Sequence, residues 1–168
     1  MPLIEIETEI HCDTKTCFDL ARNIDVHTES LKHTDEIPVA GKTTGLIELG
    51  EWVSWEAKHF GFVQHLTSKI TEMKSPHYFV DEMVFGAFKS FRHEHIFDKT
   101  KNGTLMVDKF YFESPLGALG QVANALFLKR YMTKLLKKRN ELLKQKAEDV
   151  CCNKGNVKSL YINEMVEL

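Results

Sequence analysis

Residues 50–97 read GEWVSWEAKHFGFVQHLTSKITEMKSPHYFVDEMVFGAFKSFRHEHIF, and this stretch decides the fold. It contains four runs with the composition of β-strands, separated by glycine or by a Ser-Pro pair: 52–60, 62–73, 77–85 and 89–97. The connections between these runs are too short for parallel pairing, because a parallel crossover takes a dozen residues or more. The stretch therefore predicts an antiparallel meander.

Further elements lie on both sides of this meander. Residues 3–10 alternate between apolar and polar side chains, which predicts a first strand, and residues 13–31 predict two short helices. After a Lys-Asn-Gly turn, residues 104–112 predict the last strand of the meander. From Leu116 to about Glu148 proline is absent and apolar residues recur at helical spacing, which predicts one long amphipathic helix.

This order of elements predicts an α+β domain in which a curved antiparallel sheet wraps around the C-terminal helix. A length of 168 residues fits one domain. We assign residues 1–148 to a single ligand-binding domain and 149–168 to a C-terminal tail, for which a disordered extension and a short added strand at 159–162 both stay open. A sheet that grips a helix leaves a hollow, so an internal cavity is expected.

Composition limits the partners and the location. With 22 basic and 24 acidic residues the net charge is -2, so no nucleic-acid partner is expected. Nowhere do 18 apolar residues run uninterrupted, which argues against stable insertion in a membrane. The four cysteines lack metal-ligand spacing, and the N-terminal residues lack the features of a signal peptide. We therefore expect a cytoplasmic protein with reduced cysteines. A monomer and a homodimer both stay open.

The period of two in a strand sorts its side chains into an inner and an outer face. On residues 89–97 the odd positions carry aromatic and imidazole rings, so we expect the odd face to lie inside, together with the matching face of each neighbouring strand; Phe85 and Phe97 are expected there as well. The predicted ligand-binding residues of the cavity are Trp55, Leu66, Ser68, Phe79, Asp81, Met83, Phe91, His93, His95, Met106, Asp108, Phe110 and Phe112.

Four of these residues are ionisable: Asp81, His93, His95 and Asp108. Since buried charge is costly unless paired, they should hydrogen-bond one another or a ligand. Three interpretations stay open, namely a structural network, an anchor for the polar end of an apolar molecule, and catalysis with a histidine as general base and an aspartate as its orienter. A His-x-His pair in a strand is common by chance, so we predict no metal and no other cofactor.

Several motifs have a familiar order, and the residues that carry them are Gly45, Gly50, Trp55, Pro76, Phe79, Asp81, Gly86, Ala87, Phe88, Phe91, His93, His95, Phe97, Thr104, Asp108, Pro115, Leu116, Gly117 and Arg139. Through them, residues 1–147 resemble the SRPBCC superfamily of START-like, birch-pollen-allergen-like helix-grip proteins. Within it they are similar to the bacterial ligand-binding branch labelled cyclase/dehydrase-like or cell-division-inhibitor-like. The resemblance implies a seven-stranded antiparallel sheet around a long C-terminal helix, with a deep apolar pocket between them.

The resemblance does not imply one activity, since helix-grip relatives include lipid carriers, hormone receptors and polyketide aromatase/cyclases. Met83 stands where such sequences more often have glutamine, and Ala87 where they often have proline. A methionine adapts to varied apolar guests, which favours binding over a fixed catalytic geometry.

We therefore predict a protein that binds an apolar or aromatic small molecule, lipid or polyketide-like, between the sheet and the C-terminal helix. The alternative is an acid/base cyclase, dehydratase or hydrolase that uses His93, His95, Asp81 and Asp108 in the same cavity. A third class, a protein-interaction module, would instead present a large exposed apolar patch.

Overall fold

The computed structural model describes residues 2–59, 61–113 and 121–166, with side chains described over these ranges except at 59, 121–126 and 154–166. The elements in chain order are β1 (Leu3–Ile10), α1 (Thr14–Ala21), α2 (Ile24–Ser30), a 3-10 turn (Lys32–Thr34), β2 (Ile37–Gly41), β3 (Trp52–His59), β4 (Phe62–Lys74), β5 (Tyr78–Phe85), β6 (Ser90–Thr100), β7 (Gly103–Glu113) and α3 (Gln121–Val166). The predicted start of the long helix at Leu116 and the Pro115-Leu116-Gly117 motif lie outside the described residues.

The described strands form one antiparallel sheet in the order β1-β7-β6-β5-β4-β3-β2. This arrangement confirms the predicted α+β architecture, a seven-stranded sheet with two short helices after the first strand and a long C-terminal helix. Each strand of the meander pairs with its neighbour in the chain, because the short connections permit no other arrangement. The first strand closes the order by pairing with the last, so that Ile6 lies opposite Asp108.

The two short helices close one end of the sheet. Asp13 caps α1 by accepting a hydrogen bond from the backbone N–H of Thr16 at 2.9 Å, and Asn23 caps α2 in the same way. Phe18 on α1 is fully buried, with its ring edge-to-face against Phe79 at 5.6 Å between centroids. The end of the hollow between sheet and helix is therefore filled by aromatic packing.

The long helix extends beyond the predicted end near Glu148. It continues to Val166, through the segment that the sequence analysis assigned to a tail, and this differs from both a disordered extension and a strand at 159–162. The apolar period fades after Val150, but the segment contains no proline, the residue that interrupts a helix most strongly. The domain boundary at residue 148 stays a prediction.

The expectation that all cysteines are reduced is wrong for two of them. Cys12, just after β1, forms a disulfide with Cys151 on α3, 139 residues later in the chain. Cys17 and Cys152 are free, the first buried and the second exposed. This pairing could not be predicted from the spacing of the cysteines, because it depends on where the long helix lies against the end of β1.

Phe85 was expected on the inner face, and this is wrong, since its side chain is 66% exposed. The ladder between β4 and β5 shifts register there, so that Ser68 lies opposite Met83 while Thr67 lies opposite Phe85. An extra residue in one strand of a pair breaks the alternation of faces.

Among the described residues, no helix is long and apolar enough to cross a membrane.

Candidate functional site in the central cavity

A cavity of about 500 Å³ lies between the inner face of the sheet and α3, and we call it the central cavity. Its walls come from the middle strands, from α2 and the turn after it, and from one side of the long helix. Cavities of roughly 300–1,000 Å³ that are mostly apolar suit small organic ligands. The size of the hollow thus matches a small molecule rather than a single water.

Most of the predicted site residues line the central cavity: Trp55, Leu66, Ser68, Phe79, Asp81, Phe91, His93, His95 and Phe110. Four others do not line it: Met83, Met106, Asp108 and Phe112. Of these four, Met106, Asp108 and Phe112 are fully buried behind the cavity wall, and Met83 is half-buried. Contact between these residues and a ligand stays a prediction.

Part of the lining comes from α3 and was missed as a site. Leu128, Met132, Leu135, Leu136 and Arg139 all face the cavity. Their spacing follows the three- and four-residue steps of one helix face, so this signal was present in the sequence. The prediction placed the apolar face of the long helix against the sheet. It did not identify the residues of that face that the sheet leaves uncovered.

A second missed part lies near α2. The imidazole of His27 stacks on Trp55 with 4.3 Å between ring centroids and lies 2.8 Å from Oε1 of Glu36. All three residues line the cavity. Glu36 belongs to an irregular connection, and period-two or helical patterns say nothing about where such a residue points.

Asp108 is the centre of a polar network behind the cavity wall. Its Oδ1 accepts a hydrogen bond from Nε2 of His93 at 2.9 Å, and its Oδ2 accepts one from Nδ2 of Asn140 at 2.7 Å. The guanidinium of Arg139 also donates to Oδ1, at 3.4 Å. Nδ1 of His95 lies 2.9 Å from the same oxygen without hydrogen-bond geometry, so that buried atom has no hydrogen bond.

Asp81 belongs to the same network and lies on the side that faces the cavity. Its Oδ1 accepts a hydrogen bond from Nε2 of His95 at 2.9 Å and lies 3.8 Å from Nδ1 of His93. The two imidazole rings are 3.8 Å apart between centroids, and Phe79 stacks on His95 at 4.1 Å. Each imidazole therefore lies between two carboxylates, one facing the cavity and one sealed behind it.

The protonation states follow from this geometry. Burial opposes ionisation of Asp108, but hydrogen bonding to His93 and the nearness of His95 outweigh burial and hold its pKa well below the ordinary value. Asp81 is affected in the same way, with its pKa lowered chiefly by the hydrogen bond from His95 against the cost of burial. Burial, together with the neighbouring His95, lowers the pKa of His93 to about 4.

At neutral pH His93 is therefore a neutral imidazole beside two carboxylates. A carboxylate can only accept, so the proton of His93 is assigned to Nε2, which faces Asp108. Nδ1 is then a lone-pair acceptor on a residue that lines the cavity. This is the orientation that an aspartate imposes on a histidine general base.

The depressed pKa of His93 predicts a loss of stability on acidification. Between pH 6.5 and about 4 the unfolded chain takes up a proton that the folded protein refuses, so the free energy of unfolding falls as the pH falls. From pH 6.5 to pH 5 the expected loss is about 1.5 kcal/mol. Urea unfolding at both values measures it. His93→Gln should remove this loss and His65→Gln, on an exposed histidine, should keep it; equal losses in all three proteins would contradict the assignment.

Two groups have the donor atoms of a metal site. Ligand atoms of Asp81, His93 and His95 lie within 4.8 Å of one another, and so do those of Cys12, Asp13 and Cys151. In the second group both sulfurs are used in the disulfide. For the first group, the absence of a metal stays a prediction.

No protein-family profile and no curated protein matches this chain. Among solved structures, the protein TTHA0849 from Thermus thermophilus superposes with a TM-score of 0.65 at 18% identity, over 84% of this chain and 97% of that chain. The Zhui aromatase/cyclase from Streptomyces sp. R1128 gives a TM-score of 0.69 at 9% identity, over 88% and 93%.

A plant protein has the same arrangement. The ginseng major latex-like protein 151 from Panax ginseng gives a TM-score of 0.59 at 15% identity, covering 87% of this chain and 97% of that chain. At these identities the similarity establishes the fold and no activity. The chain therefore has the helix-grip fold that these structures share, which is the fold that the resemblance in the sequence implied.

Proposed function

We propose that this protein binds an apolar or aromatic small molecule, lipid or polyketide-like, in the central cavity. The observation that carries the proposal is a hollow of about 500 Å³ whose wall is mostly apolar and includes a smaller number of polar side chains, Asp81, His93 and Arg139 among them. Sites of this composition take up apolar ligands and orient them by a small number of polar contacts.

The aromatic lining supports the same class of ligand. Phe88, Phe91 and Phe110 line the cavity, with ring centroids 5.3–6.1 Å apart in edge-to-face and tilted pairs. Aromatic side chains bury large apolar areas and present ring faces to a flat guest. The relatives in the same fold include a protein described as an aromatase/cyclase, which is consistent with an aromatic or polyketide-like guest.

Filling the hollow should remove binding without harming the fold. Ala57 is buried and lines the cavity, so in Ala57→Phe the added ring has room, and we expect the free energy of unfolding to change by less than about 1 kcal/mol. The affinity for the apolar fluorophore N-phenyl-1-naphthylamine should fall at least tenfold, because the ring occupies the site. Fluorescence titration and urea unfolding measure the two effects.

Ala147 supplies the matched control. It is fully buried in the packed core with Leu143 and does not line the cavity. Ala147→Phe should therefore cost about 1–3 kcal/mol by overpacking while leaving the affinity of the folded protein close to that of the wild type. If the wild type does not bind the fluorophore, or if Ala57→Phe binds it as tightly as the wild type does, the proposal is wrong.

An acid/base enzyme is the second candidate, and one observation favours it. The Asp108–His93 pair is arranged as an orienting acid and a base, and the acceptor atom Nδ1 belongs to a residue that lines the cavity. The ligand extracted from the wild type and from His93→Gln separates the candidates by mass spectrometry. An enzyme would leave unconverted substrate in the variant, which differs from the product in mass after dehydration or hydrolysis and in chromatographic retention after cyclisation alone, whereas a binding protein would carry the same molecule in both.

The remaining attributes stay predictions of the sequence analysis: a monomer or a homodimer, no nucleic-acid partner and a cytoplasmic location. The disulfide between Cys12 and Cys151 weighs against the cytoplasm, since such bonds persist mainly in oxidising compartments. Alkylation of unreduced protein in cell extracts would distinguish the two compartments, because the cytoplasm leaves four reactive thiols and an oxidising compartment leaves two.

A further inference from the structure

The polar side of the central cavity presents two unused hydrogen-bond acceptors. Both are on residues that line the cavity: Oδ2 of Asp81 and Nδ1 of His93. The hydrogen bond from His95 and the close approach of His93 both involve Oδ1 of Asp81, so Oδ2 makes no hydrogen bond with any described residue. Nδ1 of His93 lies 3.8 Å from that Oδ1, too far for a hydrogen bond.

Neither acceptor can be satisfied by turning a side chain. His93 is held through Nε2 by the fully buried carboxylate of Asp108, and Asp81 is held through Oδ1 by His95. The two remaining acceptors therefore stay available on neighbouring residues that line a mostly apolar cavity, with Nδ1 of His93 3.8 Å from Oδ1 of Asp81. An unsatisfied acceptor in such surroundings costs free energy, and a donor from a guest molecule removes the cost.

We infer that the ligand of the central cavity is a hydrophobic molecule that carries a hydroxyl group, phenolic or aliphatic, and that this hydroxyl donates its one proton to Oδ2 of Asp81, the charged and therefore stronger of the two acceptors. The inference rests on the proposed binding function and adds the chemical class of the ligand. A molecule without a donor would bury the carboxylate oxygen without a partner, and its binding would be penalised.

A neutral hydroxyl fits better than an ammonium group. The guanidinium of Arg139 donates to Asp108, so that carboxylate already has a cationic partner and only Asp81 remains for a ligand. An ammonium group would pair with Asp81, but it would lose its hydration in a mostly apolar cavity, and a buried ion pair seldom repays that cost. A hydroxyl satisfies an acceptor without adding charge.

Matched pairs of probes test the inference: 2-naphthol against 2-methoxynaphthalene, and 1-dodecanol against its methyl ether. Within each pair the apolar body is the same, and only the ether lacks the donor. A cavity that merely buries apolar surface favours the ether by about fourfold, because one more carbon leaves water. We expect the reverse, with each hydroxyl compound bound at least tenfold more tightly than its ether by calorimetric titration of the full-length wild-type protein.

Two variants assign the preference to Asp81. In Asp81→Asn the side chain keeps its shape and can still accept from His95, but an amide N–H replaces an acceptor oxygen, so the preference for the hydroxyl should be lost or reversed. Glu82→Gln is the control, because Glu82 is the next residue of β5 and pairs with Arg92 on the outer face. Its probe preference should equal that of the wild type. If Asp81→Asn does not fold, the ratio of hydroxyl affinity to ether affinity in the wild type is the test of the inference.

The outcomes separate this inference from the proposed function. Equal or tighter binding of the ethers by the wild type would overturn the inference and leave the binding function in place. Binding of none of the four probes would count against both. A transition metal found by elemental analysis in the wild type, and absent from Asp81→Asn, would also overturn the inference, because the metal would occupy the same lone pairs.

Discussion

Replacing Asp108 by alanine is expected to lower the free energy of unfolding by about 3–5 kcal/mol. The carboxylate is fully buried and accepts hydrogen bonds from His93, Arg139 and Asn140. Its removal leaves the guanidinium and the imidazole buried without their acceptor, so their full desolvation cost returns. Urea unfolding at pH 7 measures the loss.

Asp98 gives the matched control for this experiment. It lies on β6, in the same sheet, and is exposed. Asp98→Ala should change the free energy of unfolding by less than about 0.5 kcal/mol, since surface substitutions have small effects. If Asp108→Ala lowers the free energy of unfolding by less than about 1 kcal/mol, the hydrogen bonds to Asp108 do not contribute to stability as proposed here.

Loss of the Cys12–Cys151 disulfide is expected to lower the free energy of unfolding by about 4 kcal/mol. The bond joins residues 139 positions apart, and in the chain-entropy account a loop of that length restricts the unfolded state strongly. Cys12→Ser should therefore unfold at markedly lower urea concentration than the wild type under non-reducing conditions. A reducing agent should bring the wild type to the same midpoint and leave the variant unchanged.

The neighbouring cysteine controls for the substitution itself. Cys152 is exposed and free, so Cys152→Ser should behave like the wild type both with and without reductant. Alkylation of unfolded, unreduced protein should label two thiols, those of Cys17 and Cys152. Labelling of four thiols in protein purified without reductant would contradict the disulfide.

The sequence was informative wherever alternation along a strand runs without interruption. Phe91, His93, His95 and Phe97 were expected on one inner face of β6, and all four are buried. A period of two determines the facing of a strand as long as no extra residue intervenes. Because short connections force neighbouring strands to pair, the order of the sheet followed from the same stretch.

Features that depend on distant partners were not predictable in this way. The exposure of Phe85 depends on a register shift against β4, and the disulfide depends on where α3 lies beside Cys12. The division of labour between Asp81, which lines the cavity, and Asp108, which is sealed behind it, depends on the depth of each strand in the curved sheet. Alternation assigned both to one face without giving their depth.

A crystal structure of the protein grown with N-phenyl-1-naphthylamine tests the central claim most directly. The account predicts density for the fluorophore between the sheet and α3, in contact with Phe88, Phe91 and Phe110, with the surrounding backbone unchanged. Side chains that fill this space, with the fluorophore absent or bound only on the outer surface, would contradict it.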